Sequence, residues 1–448
     1  FLNTLNKHLA KHTDNIITTI SADTGKPLAL AEGEMSKGHE WFAYANKQAE
    51  TQIGHKVISN NISLSTKPLG AALVVGAYNY PYALAIGGIV GALAGGNGLI
   101  LSAPPKAPGW VFPFMQAAKE ATAEFAQKAA RENKPWAADF ANHSNKLIQL
   151  SMGANRTLAP QADVVHFVGS DATGKQILAA REGKRTIVEM GGSNVVTVMK
   201  SALETQEADK IADTIYNAFG PATGQRCTAP RIICVQEGAE AVSEALKRHC
   251  SDGPGSMLGN PFKDGVKMGP MVDGEAYKKM QSAIALAQES GAEVCGTLDV
   301  NNNKVPMAGR DNNAPYWVNP IAIDWSNANS EYSNRIHEML KDEIFGPLVH
   351  IIRPVKTIDE AIAVNNTLDS HKLAGAIFTS SEDEYWRYEH ETNMTSLMVN
   401  AAPKDLSPWG QHGNNIEGMG LNAIGGTGHF NLYTSGHSTN HGAATNLR

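Results

Sequence analysis

The chain has 448 residues, 42% of them hydrophobic and 18% charged, with a formal net charge of −6 and a pI near 6.2. That length and composition allow two or three packed domains and exclude a disordered chain. The mild acidity gives no electrostatic ground for binding nucleic acid or an anionic membrane, and leaves small molecules as the expected partners.

Residues 1–20 read as one amphipathic helix with Leu2, Leu5, Leu9, Ile16 and Ile17 facing inward. The text "SADTGKPLALAEGE" then supplies a turn and a second helix running through Trp41 and Tyr44. Residues 50–67 are polar and β-branched, the composition of an exposed strand or arm. Residues 68–105 carry no formal charge, and 82–101 would be long enough to cross a bilayer. Glycines at 87, 88, 91, 95, 96 and 98, and the lack of a basic flank, argue against a span. Taken in pieces, the run is a strand at 70–75, a helix at 83–93 and a strand at 99–101, a βαβ unit covered on both faces.

A helix is expected at 110–130, after which "KLIQLSMG" and "ADVVHFVGS" resume the strands. The strand at 164–168 runs into "GSDATGK" and a helix beginning near Gln176; a strand at 186–189 ends in "EMGG", and "SNVVTVM" follows as another. Repeated strand, glycine turn and helix mark a doubly wound, Rossmann-like parallel sheet whose ligands lie at the carboxyl ends of its strands. Beyond Gly192, helices at 239–249, 274–290 and 358–365 and strands at 231–235, 348–352 and 374–379 make a second α/β domain. The polar, β-prone tail reads as an exposed, partner-seeking strand; His429, His437 and His441 in it fit a metal cluster, and a solvated tail accounts for them at least as well.

Four cysteines, Cys227, Cys234, Cys250 and Cys295, show no C-x-x-C spacing and no His/Cys cluster, so no metal site is expected, and free thiols suit a reducing, cytoplasmic setting. No charged-then-apolar leader opens the chain, and its first residue, Phe1, suggests that an N-terminal portion is missing.

Cys227 stands in "GPATGQRCTAPR", a turn entered from a helix whose buried face is Ile211, Ile215 and Phe219. A thiolate on such a turn is a strong nucleophile if local potential and backbone N–H groups support it. Asn79, in "VVGAYNYP", follows a buried strand, where its amide could donate to a developing oxyanion. Glu189, in "VEMGG", could act as general base on water, and "KDEIFGP" offers the carboxylate of Glu343 and the ring of Phe345. Each has an ordinary alternative: a small buried residue, a turn asparagine, a solvated strand-end carboxylate. Residues 169–175 spell G-x-x-x-x-G-K, but Gln176 stands where a phosphate-binding loop needs Ser or Thr for Mg²⁺, which argues against an NTPase. A glycine turn opening a helix still suits a pyrophosphate.

Together and in order, "YNYP", "FVGSDATGK", "VEMGG", "GQRCT" and "DEIFGP" resemble the signature segments of the NAD(P)-dependent aldehyde dehydrogenase superfamily, across nearly the whole chain. The resemblance implies oxidation of an aldehyde to the acid, with Cys227 as nucleophile, Asn79 and the Cys227 N–H as oxyanion hole and Glu189 as base. It implies NAD or NADP held by Tyr78, Ser102, Gly153, Gly169, Ser170, Gly174, Glu343 and Phe345. It further implies a dinucleotide-binding domain of residues 1–49 and 69–190, a catalytic domain of 191–426, and an arm of 50–68 and 427–448 that joins a homodimer or homotetramer. Two rival readings are a catalytically impaired structural member and an enzyme passing the acyl group to coenzyme A. Where the family carries a lysine and a glutamate for the adenosine ribose, this chain has Ser102 and Pro105, so NADP is as open as NAD, with Lys106 as a compensating cation. "PWGQHGNNIEGMG" replaces the family's usual "PFGGxKxSG", altering the substrate-side loop, and relative to the family a leading segment of a few tens of residues is expected to be missing.

Overall fold

The computed structural model describes residues 1–448 except 60–61, 154, 254, 273, 299–315, 369–372, 404–410, 417–419, 426–431 and 441–448. The expected first helix is two, α1 (Leu2–Lys11) and α2 (Thr13–Thr24), broken at His12. The break lets each half pack on a different neighbour, α1 against α5 (Val111–Arg131) and α2 against α3 (Leu28–Gln52). His8, on α1, bridges Glu120 and Glu124 of α5 at 3.0 and 2.9 Å. Of the five expected inward positions, Leu5, Leu9, Ile16 and Ile17 are buried and Leu2 only partly so. Each buried aliphatic side chain is worth roughly 1.5–3 kcal/mol.

Two exposed strands follow, β1 (His55–Ser59) and β2 (Ile62–Pro68), and then a five-stranded parallel sheet. Its members are β3 (Ala71–Val75), β4 (Gly98–Ser102), β5 (Ile148–Ser151), β6 (Val164–Gly169) and β7 (Arg185–Met190), in the order β5-β4-β3-β6-β7. This is the doubly wound pattern, with its reversal of strand order between β3 and β6. The uncharged run becomes β3, α4 (Pro81–Ala94) and β4, and among the described residues no helix is long and apolar enough to cross a membrane. The α1–α5 layer covers one face, where Tyr82 and Trp110 meet edge to face at 5.6 Å.

From Asn194 the chain builds a second sheet instead of adding a strand to the first. Its strands are β8 (Asn194–Val198), β9 (Pro230–Gln236), β10 (Glu293–Cys295), β11 (Ile321–Asp324), β12 (Leu348–Val355), β13 (Ala374–Phe378) and β14 (Ser396–Val399). The order is β10-β11-β12-β9-β8-β13-β14, parallel except for the β10–β11 pair. A hairpin, β15 (Gln411–Ile416) and β16 (Gly420–Gly425), reaches β7. The tail strand β17 (Thr434–Asn440) pairs antiparallel with β2 of its own chain and forms one edge of the three-stranded sheet β1-β2-β17. His429 and His441, and the side chain of His437, lie outside the described residues.

Candidate functional site

The site follows from how the two sheets meet. β7 ends at Met190 and β8 begins at Asn194, so the short link 191–193 sets the carboxyl edge of the first sheet against the amino edge of the second. Tyr78 and Asn79 follow β3, Gly153 follows β5, Ser170 follows β6 and Glu189 lies near the end of β7, all on the first edge. Cys227 sits on a turn immediately before β9, on the second.

The turn before the cysteine is strained. Ala222 and Thr223 hold φ of 57° and 55°, a conformation that costs a residue with a side chain about 1–3 kcal/mol. Gly224 continues it at 66°, and a Cβ there would lie 2.3 Å from the Gly346 backbone, so only glycine fits. The Thr223 hydroxyl donates to Gly269 O at 2.7 Å, and the Ala222 N–H to Lys267 O at 3.0 Å, fixing the bend from outside. Asn79 reaches the same loop: its buried Nδ2 donates to Gln225 O at 3.1 Å, two residues before the thiol.

Burial pushes the Cys227 thiol well above its ordinary range, and the nearby carboxylates of Glu189 and Glu343 push it further, while the Cys227 and Thr228 N–H groups act in the opposite direction. The uncharged thiol is therefore the resting form near neutrality. Glu189 is 2% exposed, and it lines one cleft together with Arg226, Cys227 and Thr228. Burial lifts Glu343 to about 7 despite the buried guanidinium of Arg231 beside it. Without coenzyme, Glu343→Gln removes a like charge and must lower the thiol's pKa, so alkylation of Cys227 by iodoacetamide at pH 8 is expected to rise about tenfold. An unchanged rate–pH profile would show that Glu343 does not bear on the thiol.

The structure also tests whether a nucleotide coenzyme fits. Glu343 sits against Gly191, where a Cβ would come within 2.1 Å of Oε2, and its Oε1 is buried with no hydrogen-bond partner among the described residues. The Ser102 hydroxyl, at the end of β4, is buried and unpartnered in the same way. Two orphaned oxygens at the carboxyl edge suit a ligand rich in hydroxyls. Phe345 and Tyr78 meet edge to face at 6.1 Å, and the Lys106 ammonium lies 4.9 Å from the Tyr78 ring.

"GSDATGK" is not a glycine loop leading to a helix near Gln176. The helix runs Asp171–Ala180, and the Ser170 side chain caps it by accepting from the Thr173 N–H. Gly169 ends β6 and Gly174 lies within the helix, where a Cβ would strike Met190 Sδ at 2.4 Å. Ser170 thus stands at the amino end of a helix, the end that carries positive potential, and Gly174 permits close packing on the sheet. Gly153 takes φ of 104° just past β5 with open space around it.

Two residues escaped the sequence reading. Asn194 donates to Cys227 O at 2.6 Å and Ala229 O at 3.0 Å, holding the loop after the nucleophile. Arg231, 2% exposed, donates to Gly224 O, Arg226 O and Gly346 O at 2.8, 3.1 and 2.9 Å. It ties the cysteine loop to the Glu343 loop and lies 5.5 Å from the Phe345 ring. A charge at the start of the apolar run "RIICV", and an amide before "VVTV", were the available signals.

A family model described as the aldehyde dehydrogenase family matches residues 1–434. Human mitochondrial succinate-semialdehyde dehydrogenase is 27% identical over 406 residues, spanning 88% of this chain and 68% of that protein. An α-ketoglutarate semialdehyde dehydrogenase of Haloferax volcanii is 27% identical over 408 residues, 88% of this chain and 75% of that one. Among solved structures, betaine aldehyde dehydrogenase from Staphylococcus aureus in complex with NAD+ superposes with a TM-score of 0.78 at 22% identity, covering 100% of this chain and 82% of that one. A 3,6-anhydro-L-galactose dehydrogenase in complex with NADP superposes at 0.79 and 20% identity, covering 98% and 86%. These two share the fold.

Proposed function

The chain belongs to the aldehyde dehydrogenase family, NAD(P)-dependent enzymes that oxidise aldehydes to carboxylic acids, and on that premise we propose that Cys227, Asn79 and Glu189 carry the reaction here. The observation that carries the assignment is their convergence: a thiol, an amide bonded to the thiol's own loop and a buried carboxylate meet where the two sheets face each other.

Cys227 loses its proton and its thiolate attacks the carbonyl carbon, forming a thiohemiacetal whose oxyanion is received by the second Asn79 amide hydrogen and the Cys227 N–H. NAD+ or NADP+, when bound, supplies the acceptor for the hydride that leaves that carbon. Glu343 and Ser102 would hold ribose hydroxyls, Phe345 and Tyr78 would bound the nicotinamide, Gly153 would border the coenzyme, and Ser170, with Gly169 and Gly174, would serve the pyrophosphate. Loss of hydride leaves a thioester. Glu189 takes a proton from water, hydroxide adds to the thioester, and the Cys227 thiolate departs, releasing the acid.

Glu189 beside the sulfur favours water over coenzyme A as acyl acceptor. The change of sheet at Asn194 supports a dinucleotide-binding unit of 1–49 and 69–190 and a catalytic unit of 191–426, with 50–68 and 427–448 as the arm. Val57 and Ile58 on β1 are 71% and 59% exposed, which supports that arm as the contact of a homodimer or homotetramer. Four free cysteines suit a reducing, cytoplasmic site.

The test is reduced-coenzyme absorbance with a panel of aldehydes and each coenzyme. Turnover establishes the oxidoreductase and ranks NAD+ against NADP+; no turnover and no coenzyme binding by the folded protein would favour a structural member of the family.

A further inference from the structure

The Asn79 side chain is tied to Gln225 O at 3.1 Å, but its backbone is set by the helix that follows it, α4. The first turn of that helix has no cap of its own: Tyr80 at the N-cap makes no side-chain cap bond, and Pro81 has no N–H to place. The Leu84 N–H reaches Tyr80 O at 3.0 Å, which leaves the N–H groups of Tyr82 and Ala83. Another helix receives both. Glu34, on α3, accepts them on one carboxylate oxygen, Oε2, at 3.1 and 3.2 Å, and its Oε1 accepts from the Lys26 ammonium. The side chains of Lys26 and Glu34 are 4% and 0% exposed, and the same ammonium lies 3.5 Å from the centre of the Tyr80 ring, next in sequence to Asn79. Gly38 and Trp41 stand four and seven residues after Glu34, on the same face of α3. A Cβ at Gly38 would come within 2.4 Å of the Tyr82 ring, and one at Gly87 of α4 within 2.9 Å of the Trp41 indole. One carboxylate and two close approaches therefore fix how far α4 can slide along α3, and a slide would carry residues 79–81 with it.

We propose that Glu34, held by Lys26, is a positioning residue for the oxyanion: it anchors the first turn of α4 and so keeps the Asn79 amide in place at the Cys227 loop; the proposal rests on the catalytic reading above. A buried ion pair adds little stability over apolar groups of the same size. What this pair supplies is direction, since the carboxylate is aimed by Lys26 and in turn aims two N–H groups three and four residues beyond Asn79. The Asn79 hydrogen that Gln225 does not take must meet the oxygen at the moment its charge develops, and a misplacement of about 1 Å costs such a step on the order of 10²-fold.

The experiment measures the pre-steady-state rate of coenzyme reduction in the wild type, Glu34→Gln and Lys26→Met/Glu34→Gln, each with and without Asn79→Ala. Thermal denaturation and coenzyme binding check every variant, and the Lys26→Met/Glu34→Gln pair, which buries no unpaired charge, serves where Glu34→Gln does not fold. Glutamine keeps one acceptor oxygen but loses the ion pair, so the rate is expected to fall about tenfold or more while the aldehyde KM stays within about twofold. In the Asn79→Ala background the same change is expected to cost less than about twofold, because the amide it positions is gone. Alkylation of Cys227 by iodoacetamide, which forms no oxyanion, is expected to stay unchanged. Deuterium uptake by residues 79–84 is expected to rise in both Glu34 variants. Full additivity with Asn79→Ala, a folded variant that keeps the wild-type rate, or unchanged uptake overturns the proposal. If the wild type reduces no coenzyme, the catalytic reading has failed, and the uptake still decides separately whether the pair holds this segment.

Discussion

Cys227→Ala is expected to abolish aldehyde-dependent coenzyme reduction, a loss on the order of 10⁴-fold or more, because Cys227 carries the only thiol among the described residues that line the cleft. The other three cysteines are buried, Cys234 within β9 with its thiol pushed up to about 12, and none lines the cleft. The fold should survive the change. The loop is held by Asn79 on Gln225 O, Asn194 on Cys227 O and Arg231 on Gly224 O and Arg226 O, contacts that use the backbone and never the sulfur. The measurement is therefore turnover alongside thermal denaturation and coenzyme binding by fluorescence. Lost turnover with retained coenzyme binding assigns the defect to the nucleophile; appreciable turnover by the folded variant would remove Cys227 from the chemistry. Serine is expected to rescue little, since an alkoxide is both harder to form and a poorer leaving group than a thiolate.

What was legible in the sequence was whatever short-range pattern controls. The apolar strand runs, the helix 274–290 and the glycine-marked ends of β3, β6 and β7 are local, and they placed Asn79, Glu189 and Cys227 at strand ends or turns. Pattern failed where tertiary contact decides. Nothing local breaks the helix at His12, since neither glycine nor proline stands there; the break serves packing against α3 and α5. Ser170 could have been read as an N-cap, but the glycine pattern of "GSDATGK" masked the simpler signal of a serine before Asp171. Arg231 was hidden because a strand's charged first residue is usually solvated, whereas here three carbonyls from two loops receive it. The cleft wall was out of reach altogether, since Lys37 and Trp41 meet Arg226 and Cys227 only through the packing of α3 near α4.

Glu189→Gln separates the two halves of the reaction. With Glu189 as the base for water, the variant still forms the thiohemiacetal and transfers hydride, then stops at the thioester. The expected trace is a burst of reduced coenzyme equal to the number of sites, followed by a steady rate lowered by about 10²–10⁴-fold. The first half should not suffer, because removing a carboxylate that raises the Cys227 thiol makes the thiolate easier to form. Mass spectrometry would then find the acyl group on Cys227, and hydroxylamine, a nucleophile that needs no base, should restore release as the hydroxamate. Coenzyme A tests the rival acceptor in the same variant: fast release by the thiol in wild type and variant alike would place water second. A slow rate with no burst and no acyl-enzyme would move Glu189 to the earlier step, as the group that takes the thiol's proton. The burst is the observation that distinguishes a base for water from a base for sulfur, since both would lower the steady rate.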